Sequence, residues 1–194
     1  MQPETLAAAL LRWCERNRLR IACAESLTGG LLADAFVRVP GASKVFLGSA
    51  VTYDIRAKAK ILGVDRALLE REGAVHPEVA RQMASRTARL YDQPEYDGRV
   101  VGLSTTGVAG PGPDGDKPAG LVYIGVSIPA AFGLPDPLRA MESVPGGCGV
   151  VEGRDGRLTV AVELRIDGTR EQVRTRTVGS VLRTVSVLLG ISQE

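Results

Sequence analysis

A chain of 194 residues with 44% hydrophobic and 24% charged residues has the make-up of an ordinary globular domain, which excludes a disordered polymer and a membrane-spanning chain. Its formal net charge of +2 arises from 24 basic and 22 acidic side chains spread along the sequence, so there is no basic footprint for nucleic acid. No apolar run reaches bilayer length, so no membrane association is expected; the three cysteines, Cys14, Cys23 and Cys148, lack metal-like spacing and read as reduced thiols of a cytoplasmic protein.

Residues 4–17 place Leu6, Leu10, Leu11 and Trp13 on one broad face and predict an amphipathic first helix. They do not read as a signal peptide, because Glu4 precedes the apolar run and Arg12 ends it early. Arg20 to Glu25 is a short apolar strand, and Thr28 to Val39 reads as the helix that follows it. Between them lies the stretch around which the chain is organised, a turn of small residues carrying Ser26. A serine at the carboxyl end of a strand and beside a helix N-terminus sits where open α/β sheets bind ligands, and unpaired N–H groups with the helix dipole favour negative charge there.

After the turn at Pro40 to Ser43, Lys44 to Tyr53 is rich in β-formers and predicts a second strand. Asp54 caps a helix that Gly63 stops, and one or two further helical turns are expected over 65–72. His76-Pro77 opens a helix to about Asp92, with Val79, Met83 and Leu90 as its apolar stripe. Arg99 to Thr105 is a strand, and the glycine- and proline-rich segment after it is a loop. Leu121 to Ile128 and Arg157 to Ile166 read as further strands, with 129–155 between them as a long loop or insertion. The closing segment 168–190 is a helix whose Val173, Val178, Val181, Leu182, Val185 and Leu189 face the core. Helices interspersed with strands predict α/β, a single three-layer α/β/α domain over 1–194 with a mixed sheet.

The chemistry follows from few residues. On the helix after Asp54, Lys58 falls at the spacing of Ile55 and Leu62, inside the apolar face. A lysine turned to the core loses hydration and its pKa falls, so it can serve as a base near neutral pH; the alternative is pairing with Asp54 and snorkelling to water. His76 is the single histidine, placed at a helix start and facing solvent, so a Ser-Lys pair is a better arrangement than a Ser-His-Asp triad. The GVAGPG run is no dinucleotide fingerprint, since prolines and a strand follow where a helix is needed. Its small residues can form an anion nest, or simply a tight connection. Asp114 and Asp116 read as turn residues, and no metal is expected. Arg170 and Arg174, one turn apart at the start of the last helix, can hold a phosphate or form a solvated basic face.

Several segments in order, Ala24 to Gly30 (AESLTGG), Val39 to Val64, Gly73 to Ala84, Thr105 to Pro111, Lys117 to Gly120 and Gly168 to Arg174 (GTREQVR), together resemble the CinA C-terminal domain family, which includes stand-alone nicotinamide-nucleotide amidases. The resemblance implies hydrolysis of the carboxamide of nicotinamide mononucleotide to nicotinate mononucleotide and ammonia, without cofactor or metal. It implies a Ser-Lys dyad of Ser26 and Lys58, with Tyr53 and Thr106 as further catalytic positions. Thr28, Gly29, Gly30, Gly107, Gly110 and Arg170 are then the expected substrate-binding residues, the glycine loop and Arg170 holding the phosphate. A homodimer is implied as well. A non-catalytic nucleotide-binding or regulatory module, and an amidase for another carboxamide, are the alternative readings. Leu27 stands where many members have Cys, His76 where many have Ser and Thr169 where Asp is usual, and the segment 129–155 is longer than the family pattern.

Overall fold

The computed structural model describes residues 3–132, 142, 148–152 and 156–191. In chain order the elements are α1 (Pro3–Arg16), β1 (Arg20–Glu25), α2 (Leu31–Val37), β2 (Phe46–Val51), α3 (Ile55–Leu62), α4 (Arg66–Glu72), α5 (Pro77–Leu90), β3 (Val100–Gly107), β4 (Leu121–Pro129), β5 (Cys148–Glu152), β6 (Arg157–Arg165) and α6 (Arg170–Leu188). The strands form one sheet in the order β2-β1-β3-β4-β6-β5. β1 runs parallel to both β2 and β3, and the remaining neighbours are antiparallel. The chain therefore has the expected three-layer α/β/α arrangement around a mixed sheet.

The two faces of the sheet are covered differently. Ile21 and Cys23 of β1, Val101 and Leu103 of β3, and Val122 and Ile124 of β4 share a core with Leu6 and Leu10 of α1, Leu32 and Phe36 of α2, and Val178 and Leu182 of α6. On the opposite face Ala24 packs with Leu62 of α3, Leu68 and Leu69 of α4, and Val79 and Met83 of α5. Alternate residues of a strand point to opposite faces, so β1 is apolar on both sides and reads as a continuous small-residue run.

The α5 layer lies unusually close to the sheet because two strand positions carry no side chain. A Cβ on Gly102 would meet the carbonyl oxygen of Ala84, and one on Gly125 would meet that of Ala80. Between them Ser104 Oγ donates to the Ala80 carbonyl at 2.7 Å. Glycine here permits backbone contact rather than a special dihedral.

Several boundaries differ from expectation, each for a physical reason. The helix after Ser26 begins at Leu31 rather than Thr28, because Gly30 at φ +103° lies in the left-handed region and the residues before it form a turn. His76 is the N-cap of α5, as its place before Pro77 predicts, but it is half-buried rather than facing solvent, its Nδ1 accepting from the Glu78 N–H at 3.2 Å. Leu90, expected in the α5 stripe, is exposed where the helix ends. Residues 148–152, read as loop, form an edge strand paired to β6 over Cys148↔Val162 to Glu152↔Leu158. The other parts of the expected insertion that are described are Pro129, which closes β4, the single turn Ala130–Phe132, and residue 142; the rest lies outside the described residues.

Candidate active site

Because β2 and β3 flank β1 and both run parallel to it, the carboxyl ends of the three strands lie along one edge of the sheet, at Glu25, Val51 and Gly107. Such edges are where ligands bind in α/β folds. Ser26 is the first residue past β1. Its N–H continues the ladder by donating to the Thr105 carbonyl at 3.0 Å, which fixes the backbone, and its side chain points to the α3 and α5 side.

Lys58 comes to it from α3. Asp54 caps that helix by accepting from the N–H groups of Arg56 and Ala57, and Gly63 closes it in the left-handed region, with the Val64 N–H reaching back to the Lys58 carbonyl at 3.1 Å. With both ends fixed, the position of Lys58 on the inner face drives its side chain fully under the surface, 0% exposed. Nζ lies 3.0 Å from Ser26 Oγ and donates to the Thr52 carbonyl at 2.6 Å. Burial lowers the Lys58 pKa from 10.5 to about 8, with the nearby Asp54 charge opposing the shift. The side chain does not pair with Asp54 and snorkel outward. A serine hydroxyl beside an amine that is neutral in part near pH 8 has the contacts of a nucleophile and its base.

Glu25, the residue before Ser26, was not singled out in the sequence, yet it organises the turn. Its buried carboxylate accepts five hydrogen bonds: from the N–H groups of Gly30, Leu32 and Ala33 and the hydroxyls of Thr28 and Ser49, all between 2.8 and 3.0 Å. The N-terminal N–H groups of α2 are thereby occupied. The expectation that this helix end would face negative charge developing at Ser26 is corrected: the helix dipole is answered by Glu25. The signal in the sequence was an acidic residue ending an otherwise apolar strand just before a helix.

The structure brings a second group of expected residues together. Arg170 Nη1 donates to the Gly110 carbonyl at 2.7 Å and Nη2 to the Tyr53 hydroxyl at 3.2 Å. Tyr53 is 63% exposed and follows Thr52, whose carbonyl holds Lys58, so the two groups adjoin at the strand ends. Thr169 caps α6 with Gln172 in a reciprocal pair, Gln172 N–H to Thr169 Oγ1 at 3.3 Å and Thr169 N–H to Gln172 Oε1 at 2.8 Å. A threonine in place of aspartate thus preserves the cap that presents Arg170.

Other expected site residues have structural partners. Thr106 Oγ1 donates to the Ala74 carbonyl at 2.7 Å; Thr105 is the threonine beside the serine turn, its hydroxyl 2.8 Å from that of Thr28. The register Glu25↔Thr105 puts the Thr105 side chain on the Glu25 face and that of Thr106 on the face to which Ser26 points. Gly29 donates to the Ser26 carbonyl at 3.1 Å, and Gly107 lies so near β4 that a Cβ would strike Leu121 and Val122. Arg174, paired with Arg170 in the sequence reading of a phosphate site, instead donates to the carbonyls of Leu27 and Thr28 at 3.0 and 2.9 Å. A cavity of about 650 Å³ opens on the outer side of α3 and α4, bordered by Ile55, Ile61, Arg66 and Leu69; neither Ser26 nor Lys58 lines it.

Residues 3–134 match the family described as the CinA C-terminal domain. The chain belongs to the CinA C-terminal domain family. It is 37% identical over 187 residues to a CinA-like protein of Frankia casuarinae, covering 96% of this chain and 35% of that protein. It is 44% identical over 127 residues to a protein of Caldanaerobacter subterraneus named for competence-damage induction, covering 65% of this chain and 29% of that one. The chain thus spans about a third of the length of these curated relatives. Among solved CinA-type structures, competence damage-inducible protein A of Klebsiella pneumoniae superposes with a TM-score of 0.77 at 23% identity over 100% of both chains, a likeness of fold. The competence/damage inducible protein of Agrobacterium tumefaciens gives a TM-score of 0.73 at 29% identity, covering 94% of this chain and 93% of its own. Among the described residues of this CinA-family chain, no helix is long and apolar enough to cross a membrane.

Proposed function

We propose that this CinA-family chain is an amidohydrolase that converts nicotinamide mononucleotide to nicotinate mononucleotide and ammonia. The observation that carries the reading is Lys58 Nζ, wholly buried and 3.0 Å from Ser26 Oγ. Neutral Lys58 takes the Ser26 proton, and Oγ attacks the carboxamide carbon to give a tetrahedral oxyanion. Its collapse breaks the C–N bond as the Lys58 ammonium returns the proton to the leaving nitrogen, releasing ammonia and an acyl-enzyme ester. Water then attacks the ester, Lys58 accepts its proton and Ser26 regains a hydrogen, freeing the acid.

The Thr52 carbonyl keeps Lys58 oriented through both half-reactions, since it accepts from the amine in either charge state. Arg170 supplies a cation at the mouth, held by Gly110 and Tyr53; it suits a phosphate through charge and a planar fork of donors. The reading is tested by incubating the purified chain with nicotinamide mononucleotide and following both products. Stoichiometric ammonia and nicotinate mononucleotide support it. Saturable binding with no product returns the chain to the nucleotide-binding module, and ammonia from a different carboxamide only would replace the substrate.

A further inference from the structure

Resting on the amidase reading, the remaining question at Ser26 is what meets the oxyanion. The N–H groups of α2 are closed off by Glu25, and the N–H of Ser26 itself is bonded to Thr105. That leaves the two residues after the serine. Among the described residues the N–H groups of Leu27 and Thr28 donate to no acceptor, whereas those of Ser26, Gly29, Gly30, Leu31, Leu32 and Ala33 all do. Leu27 is 3% exposed and Thr28 0%. Buried, unpaired backbone donors are rare because each forfeits a hydrogen bond to water.

Their direction is set from outside the turn. Arg174 Nε and Nη2 take the carbonyls of Leu27 and Thr28. In a trans peptide the N–H points opposite to the carbonyl it is conjugated with, so drawing the Leu27 carbonyl to Arg174 turns the Thr28 N–H the other way. The Ser26 carbonyl accepts from Gly29 inside the turn, which likewise turns the Leu27 N–H outward from it.

We propose that the N–H groups of Leu27 and Thr28 are the oxyanion donors of this site and that Arg174 is the positioning residue that orients them. A serine on a sharp strand-to-helix turn, with the following N–H aimed at the developing charge, is a recurrent acyl-transfer geometry. Here the second donor comes from the same turn, and the arginine reaches it from the last helix of the chain.

The test replaces each donor by an ester oxygen, incorporating the α-hydroxy acid counterparts of leucine at 27 and threonine at 28 into the full chain. Each ester is expected to lower kcat about 100-fold or more with KM unchanged and, because the lost N–H had no partner, with little change in Tm. Arg174→Met is expected to lower kcat at constant KM, whereas a merely structural arginine would lower Tm and leave kcat per folded molecule in place. Wild-type kcat in both esters overturns the proposal. Should wild type release no ammonia from nicotinamide mononucleotide, the substrate reading fails by itself, and labelling of Ser26 by a fluorophosphonate decides the donors: labelling slowed by the same factor in the esters supports them, and equal labelling, or none in wild type, overturns them.

Discussion

Glu25 and Ser26 are adjacent in the chain and act on opposite faces of the sheet: the Glu25 carboxylate anchors the start of α2, while Ser26 Oγ meets Lys58 from α3. The strand's two-residue period makes this division automatic. One residue holds the turn and the next is free to react.

Removing the anchor should therefore be severe. Glu25→Ala leaves three backbone N–H groups and two hydroxyls without their acceptor, those of Thr28 and Leu32 fully buried, and a buried donor left without its acceptor costs about 1 to 3 kcal/mol. Urea denaturation should show that loss as a lowered midpoint. A midpoint equal to wild type would mean that the carboxylate does not hold the turn.

Lys58 sets the pH dependence of turnover. Its pKa, lowered by burial to about 8, makes the neutral base scarce well below that pH and dominant above it. The profile of kcat/KM should rise tenfold per pH unit below about 8 and level off above it, the slope expected of a single ionisation. A flat profile from pH 6 to 9 would exclude Lys58 as the base.

The same shift has a sign in stability. Between about 8 and 10.5 the folded chain holds fewer protons on Lys58 than the unfolded chain does, so the residue's contribution improves as pH rises through that window and is least favourable below it. The full span is about 3 kcal/mol by the linkage of pKa to free energy. Relative to Lys58→Met, wild type should gain stability between pH 7.5 and 10.5 in paired denaturation curves. A constant gap between the two proteins would show that the amine ionises alike folded and unfolded.

Arg170 is exposed and contributes little packing, so Arg170→Ala should change stability by no more than about 0.5 kcal/mol. Its effect should fall on substrate binding. The variant is expected to raise KM for nicotinamide mononucleotide roughly tenfold or more, as loss of a charge-assisted contact does, while leaving turnover of the phosphate-free nucleoside unchanged. Equal losses on both substrates would place Arg170 elsewhere than at the phosphate.

Most of the fold was legible because periodicity and punctuation agreed: Asp54 and Gly63 bracket α3, Pro77 opens α5, and Val173, Val178, Val181 and Val185 of α6 turn inward. Edge strand β5 was not, since a glycine-rich segment carries no alternation and gains its partner only from β6. At the site, Lys58 was readable from its spacing to Leu62, which is buried beside it, although Ile55, counted on the same face, is exposed. The partners of Thr105 and Thr106 were not, because the face each takes depends on strand register against β1, and the contact of Arg174 joins α6 to a turn 146 residues earlier.

If Ser26 and Lys58 act as nucleophile and base, ammonia release from nicotinamide mononucleotide must depend on both, which is measured on wild type, Ser26→Ala and Lys58→Ala. Wild type should turn over, and each variant, folded with a native circular dichroism spectrum, should fall by about 1,000-fold or more, as removal of a nucleophile or its base does. Release by Ser26→Ala at the wild-type rate would contradict the claim.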